Sequence, residues 1–210
     1  MPVEARERLR RARLLLVTDP RDDLEERVEA ALRGGVDIVQ LREKRASREE
    51  VLPLARRLRE VCLRHGALFT VNDDIELARL SGAHGVHLGQ EDEPVARARE
   101  VLGPGAVVGR SAGGVEEARR AVREGADYLG VGSVYPTPTK PDAEVRGLGL
   151  IREMARAALP VPWFAIGGVT LETAGEVAAA GAPGFAVVRA VLDAEDPEEA
   201  ARSLRALLPA

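Results

Sequence analysis

Gly125-Ala-Asp-Tyr-Leu-Gly130 holds, in six residues, the pattern from which the fold follows: a glycine that stops a helix, then a short apolar run. Glycine takes the left-handed conformation that closes a helix, and an apolar run directly after it reads as a strand buried on both faces. The phrase returns at Gly35-Val-Asp-Ile-Val-Gln40, Gly66-Ala-Leu-Phe-Thr-Val71, Gly82-Ala-His-Gly-Val-His87 and Gly181-Ala-Pro-Gly-Phe-Ala186. Working outward from these repeats gives eight candidate strands, near 13–18, 36–41, 67–71, 84–88, 106–110, 127–132, 161–166 and 183–188. Helical patterns follow near 23–34, 47–64, 73–80, 94–102, 114–124, 147–158, 170–180 and 196–208. Ser47-Arg-Glu-Glu50 reads as a capping box, Asp23 to Glu26 as a weaker one, and Pro94 as a first helical residue. Strict strand–helix alternation allows a closed barrel or an open doubly wound sheet. Eight units favour closure, and no Gly-x-Gly-x-x-Gly turn follows the first strand, as a dinucleotide-binding sheet would require. The expectation is an α/β fold, a single parallel (β/α)8 TIM barrel spanning residues 1–210, with residues 1–12 as a charged N-terminal extension.

Composition narrows the function. The 210 residues carry a formal net charge of -4, which argues against a nucleic-acid or anionic-membrane surface. No apolar run reaches membrane-spanning length, and the segment from Glu4 to Arg13 is charged where a secretory signal needs an apolar core. The one cysteine, Cys62, excludes an intrachain disulfide framework and reads as a small buried hydrophobe. A cytoplasmic enzyme of small molecules is expected, with no nucleic-acid or membrane partner. A homo-oligomer is compatible with everything in the sequence.

Scarcity points to the site. Of the 30 basic residues only Lys44 and Lys140 are lysines; Asn72 is the only asparagine, and Gln40 and Gln90 are the only glutamines. Gln40 lies at the end of a predicted strand and the other four in segments that follow one, where the active site of such a barrel forms. Arg42 and Lys44 lie two apart in an extended segment and so point the same way. An Arg fork with a Lys point charge suits a diphosphate, against the alternative of a surface ion pair with Glu43. Asp73 and Asp92 open the loops after neighbouring strands. Together they can hold Mg²⁺, although each could instead cap the helix that follows it. Thr137-Pro-Thr139-Lys140 forms a long polar loop stiffened by prolines 136, 138 and 141, with two hydroxyls and an ammonium facing any anion. Gly167-Gly168 before Thr170, with the strand end at Val188, matches the common phosphate site of barrels, or else a tight structural turn. His87 at a strand end fits a structural role or an acid–base one. The three histidines and Cys62 show no closed metal-ligand spacing.

These blocks, in this order, resemble the thiamine-phosphate synthase family across nearly the whole chain. The strings are Gln-Leu-Arg-Glu-Lys at 40–44, Val-Asn-Asp-Asp at 71–74, His-Leu-Gly-Gln-Glu-Asp at 87–92, Tyr-Pro-Thr-Pro-Thr-Lys at 135–140 and Ile-Gly-Gly-Val-Thr at 166–170. The resemblance implies transfer of a hydroxymethylpyrimidine group from its diphosphate to the nitrogen of a thiazole phosphate, with Mg²⁺ as cofactor. Two phosphorylated small molecules would be the partners. It implies that Gln40, Arg42, Lys44, Asn72, Ser111 and Lys140 bind the pyrimidine diphosphate, with Lys44, Ser111 and Lys140 acting in catalysis. Asp73 and Asp92 would hold the metal, and Thr137, Thr139, Gly168, Val188 and Arg189 would surround the thiazole phosphate. The family route is dissociative: diphosphate leaves, a pyrimidine methyl cation forms, and the thiazole nitrogen captures it.

Two positions depart from the family pattern. Gly113 stands where a histidine commonly follows Ser-Ala, and Arg189 stands where many members have serine. The related thiazole tautomerase is a rival on the same fold, but its histidine belongs at the position of Gly113. A second rival is a non-catalytic sensor of phosphorylated ligands. Mg²⁺-dependent turnover of both substrates separates these readings.

Overall fold

In a computed structural model, which describes residues 2–208, eight parallel strands close into a barrel in chain order, with β8 paired to β1. The chain runs α1 (Pro2–Arg11), β1 (Leu14–Val17), α2 (Leu24–Arg33), β2 (Ile38–Leu41), α3 (Arg48–Arg64), β3 (Leu68–Asn72), α4 (Ile75–Ser81) and β4 (Gly85–Leu88). It continues through α5 (Val95–Leu102), β5 (Val107–Ala112), α6 (Val115–Arg123), β6 (Tyr128–Val131), α7 (Gly147–Ala157) and β7 (Trp163–Ile166). It ends with α8 (Leu171–Ala179), β8 (Phe185–Val187), α9 (Arg189–Leu192) and α10 (Pro197–Ala206). No described helix is long and apolar enough to cross a membrane.

Two apolar layers hold the barrel, and strand alternation sorts residues between them. Leu14, Leu16, Val39, Leu41, Phe69, Val71, Val86, Leu88, Val108 and Leu129 face outward and pack with the helices. Leu15, Val17, Ile38, Leu68, Val107, Tyr128 and Phe164 face inward and fill the interior. Tyr128 lies fully buried, edge-on to Phe164. It fits because its neighbour on β5 is Gly109: a Cβ there would overlap both the Tyr128 ring and the His87 imidazole.

The recurring phrase has a second purpose. In three of its five occurrences the third residue accepts a backbone hydrogen bond from the strand before it. Asp37 Oδ2 accepts from the N–H groups of Arg13 and Leu14, at 2.7 and 2.9 Å. His84 Nδ1 accepts from Phe69 N–H at 3.0 Å, and Asp127 Oδ2 from Val108 N–H at 2.8 Å. The same position before β2, β4 and β6 thus satisfies donors at the starts of β1, β3 and β5 that the ladder leaves free.

The structure departs from the sequence reading in several places. Residues 1–12, read as a charged extension, contain helix α1, and Ala5 and Leu9 on it are buried in the inner cluster with Ala12. The polar periodicity of this segment hid those few apolar contacts. A short helix, α9, also follows β8. Asp23 makes no side-chain cap bond, and Pro94 is the N-cap of α5 rather than its first residue. Ser47 forms the expected capping box with Glu50.

Leu9 is 2% exposed, although its helix is otherwise rich in charge. Leu9→Ala is expected to lower unfolding free energy by about 2–3 kcal/mol, as a buried leucine truncation does. Urea denaturation of the variant measures it, and a loss below about 0.5 kcal/mol, typical of a surface change, would show that α1 does not seal the barrel.

Candidate active site

The C-terminal ends of the strands gather nearly every residue singled out by scarcity. Inward alternation continues upward from the apolar floor as Gln40 on β2, Asn72 on β3, His87 on β4 and Ser111 on β5. Gln40 is buried and donates from Nε2 to Asn72 Oδ1 at 2.9 Å. His87 Nε2 lies 3.0 Å from Ser111 Oγ. The imidazole rests against Tyr128, with ring centroids 5.3 Å apart, and lies beside Gly109 and Gly130. Two polar pairs therefore line the bottom of the site, bridging β2 to β3 and β4 to β5.

Above them stands a charged cluster. The Lys44 ammonium pairs with the Asp73 carboxylate, and the Asp73 and Asp92 carboxyl groups are within hydrogen-bonding reach of each other. Asp73 takes a left-handed backbone, φ 63°, and its N–H donates to His87 O at 2.8 Å. Such a conformation is uncommon outside glycine and collects at functional sites. Asp74, not Asp73, caps α4, accepting from Leu77 N–H at 2.8 Å. Asp73 is thereby free for the site. Asp92 does not cap α5 either: its Oδ2 accepts from Gly89 N–H at 2.6 Å.

Electrostatics set the two carboxyls apart. Burial and the neighbouring Asp92 push Asp73 above the usual carboxylate range, with Lys44 opposing. Asp92 is also partly desolvated, but its bonds to Asp73 and Gly89 and the charges of Lys44 and Arg110 hold it below that range. Two like charges this close favour either a shared proton or a bound cation.

The surrounding loops bring further donors. Arg42 reaches across from the end of β2 and donates to Thr139 O at 3.2 Å, joining the β2 loop to the long loop after β6. Thr137 Oγ1 accepts from Thr139 N–H at 3.3 Å within that loop. Lys140, on the same rim, is exposed, and its ammonium makes no hydrogen bond or ion pair among the described residues. Gly168, at φ +64°, packs against Tyr135 and Pro136, so a side chain there would strike the β6 loop. Val188 is the N-cap of α9, and Arg189 opens that helix.

Both departures from the family pattern have identifiable neighbours. Gly113 N–H donates to Glu117 Oε2 at 2.6 Å; the same carboxylate accepts from Gln90 Nε2, and Arg146 lies nearby. Arg189 faces Asp19 and Asp193, at 3.9 and 4.0 Å. Thr18 and Arg110, to which the sequence assigned no role, also adjoin the site residues. Thr18, fully buried, ends the apolar run of β1, and its Oγ1 accepts from Arg42 N–H at 3.0 Å. Arg110 is buried on the outer side of β5 and donates to two carbonyls of the loop carrying Asp92. For Thr18 the available signal was a hydroxyl directly after the apolar run Leu14–Val17; Arg110, among many arginines, carried none.

Burial, with the Arg110 charge adding to it, pushes the His87 imidazole down to about 4 from an ordinary 6.5. The folded chain therefore binds fewer protons than the unfolded one between these values. The associated stability is complete above about pH 6.5 and is lost as the pH falls toward 4. Urea titrations at about pH 7 and pH 5 are expected to differ by about 2 kcal/mol more in the wild type than in His87→Gln. Equal pH sensitivity in the two proteins would contradict a buried, neutral His87.

Comparison with known proteins adds an independent line. A family model described as thiamine monophosphate synthase matches residues 14–191. A thiamine-phosphate synthase of Gloeobacter violaceus is 54% identical over 194 residues, covering 92% of this chain and 57% of that protein. One of Halorhodospira halophila is 49% identical and is covered, like this chain, over 90% of its length. The chain thus spans just over half the length of some curated relatives and nearly all of others. Among solved structures, a thiamine phosphate pyrophosphorylase from Pyrococcus furiosus superposes with a TM-score of 0.86 at 39% identity, over 96% of each chain.

Proposed function

The chain belongs to the thiamine monophosphate synthase family, and on that premise we propose that it joins a pyrimidine carried on a diphosphate to a thiazole phosphate in the cytoplasm, releasing diphosphate and thiamine phosphate. The observation that carries this reading is the meeting of Lys44, Asp73 and Asp92 at one rim, directly above the Gln40–Asn72 and His87–Ser111 pairs.

The donor set fits Mg²⁺. Two carboxylates in mutual contact supply hard oxygen ligands, and their repulsion is relieved by a cation between them. An ion of this kind takes one or two carboxylates and completes its shell with phosphate oxygens and water. Asp73 and Asp92 would hold it. When bound, the ion neutralises charge that develops on the departing diphosphate.

The protein's own groups account for the rest. Bond breaking leaves an electron pair on the diphosphate oxygen and a cation on the pyrimidine methylene; the thiazole nitrogen lone pair then forms the new carbon–nitrogen bond. No protein nucleophile is needed. Arg42, Lys44 and Lys140 bind the diphosphate and stabilise it as it leaves, through fixed charge rather than proton transfer. Lys140, free of any partner among the described residues, is available to a ligand in full. Gln40, Asn72 and Ser111 offer amide and hydroxyl groups at the barrel floor to the ring nitrogens and amine of the pyrimidine. Thr137, Thr139 and Gly168, with the backbone at Val188 and Arg189, receive the thiazole phosphate. Holding both reactants in line supplies the remainder of the acceleration. Arg189, already facing Asp19, adds only part of its charge to that phosphate.

The test combines both synthetic substrates with and without Mg²⁺ and follows thiamine phosphate by chromatography. Product is expected only with both substrates and metal. Lys140→Met and Asp92→Asn are each expected to lower kcat/KM by about a hundredfold or more, the order associated with losing one electrostatic stabiliser of a transition state. Binding without turnover would favour a ligand sensor instead, and near-normal kinetics in both variants would overturn the roles given to these residues.

A further inference from the structure

The loop that carries Asp92 has an anchor outside the catalytic pocket. On β5, Val107, Gly109 and Ser111 face inward, so Arg110 faces out between Val108 and Ala112, toward the layer beneath the helices. Only 8% of its surface is exposed, an unusual position for a guanidinium. Among the described residues it forms no ion pair with a carboxylate. Its partners are backbone carbonyls: Nη1 donates to Glu93 O at 3.0 Å and Nη2 to Gln90 O at 3.1 Å.

These two carbonyls bracket Glu91 and Asp92. From the other side, Asp92 Oδ2 accepts from Gly89 N–H at 2.6 Å, and Asp92 N–H reaches back to Gly89 O at 3.4 Å. The turn is therefore gripped at three points, at residues 89, 90 and 93, and Asp92 projects from it toward Asp73. A planar fork is suited to holding two carbonyls at once; an ammonium holds them less rigidly. Asp92 feels the Arg110 charge, but no carboxylate among the described residues touches the guanidinium; burying a charge without a contact ion pair is costly, so a guanidinium kept in this place calls for a purpose beyond filling space.

We propose that Arg110 is a positioning residue for the metal site. Its bidentate grip on Gln90 O and Glu93 O turns those carbonyls away from the rim and sets the Asp92 carboxylate in the place from which it meets Asp73 and a divalent cation. This inference rests on the metal site argued above. Arg110 touches neither substrate nor metal, so its loss acts on metal affinity first and on the chemical step only through it.

The experiment is a titration of the protein with Mn²⁺ alone, following the free ion by electron paramagnetic resonance, together with Mg²⁺ activation curves of turnover. Arg110→Met is expected to weaken Mn²⁺ binding about tenfold or more, in the range that outer-shell partners of metal ligands contribute. The Mg²⁺ activation midpoint is expected to rise in the same proportion, with kcat at saturating metal within about threefold of wild type. Arg110→Lys, which keeps the charge but not the fork, is expected to fall between. Val108→Ala, a destabilising change on the same outward face, is expected to leave Mn²⁺ affinity unchanged. Wild-type Mn²⁺ affinity in folded Arg110→Met overturns the proposal, as does an equal loss in Val108→Ala. If Arg110→Met does not fold, wild-type affinity in Arg110→Lys overturns it in the same way. Absence of Mn²⁺ binding by the wild type would instead overturn the metal site itself, and the proposal with it.

Discussion

Closing eight parallel strands into a barrel sends every second side chain to a confined interior, and the rest of the molecule answers that constraint. Near the N-terminal end the confined residues are apolar, and α1 covers them with Leu9. Toward the other end they become Gln40, Asn72, His87 and Ser111, each held by a neighbour across the ladder. Gly109 shows how tight the interior is. It leaves the space that Tyr128 and His87 occupy, so the floor of the site and the packing of the core are one arrangement.

Rigidity below and charge above have complementary consequences. A desolvated floor keeps His87 neutral, so its contact with Ser111 keeps one protonation state across the ordinary pH range. Above it, two carboxyl groups and an ammonium share one rim. Asp73 adopts an unfavourable backbone, shares its surroundings with Asp92 and is pulled by Lys44. Placing two carboxyl groups so close is costly, and a cation or proton between them would relieve the repulsion. The loop after β2 is tied to the long loop after β6 by the hydrogen bond from Arg42 to Thr139 O.

Particular residues show why part of this was legible in the sequence. The glycine-led phrase announced strands because a helix cap and a doubly buried strand both depend on local chemistry. The Lys44, Asp73, Asp92 and Lys140 loops stood out because each follows a strand, and parallel strands carry all such loops to one end. Three things stayed hidden. The apolar contacts of α1 are too few to register against its charge. Asp73 and Asp74 are chemically identical, and only the backbone turn decides that Asp74 caps the helix while Asp73 faces the rim. Arg110 resembles any other arginine in a chain full of them until its burial and its two carbonyl partners are seen.

By itself, then, the order of residues determined the number of units, the direction of the strands and the end to which Lys44, Asp73, Asp92 and Lys140 are carried. Those properties follow from periodicity and from the geometry of one repeating unit. The tertiary structure alone decided which side chains meet: Lys44 with Asp73, Gln40 with Asn72, His87 with Ser111, Arg110 with the Asp92 loop. These partners lie on different strands and loops. Their meeting is set by barrel closure and register, which no local stretch of sequence encodes.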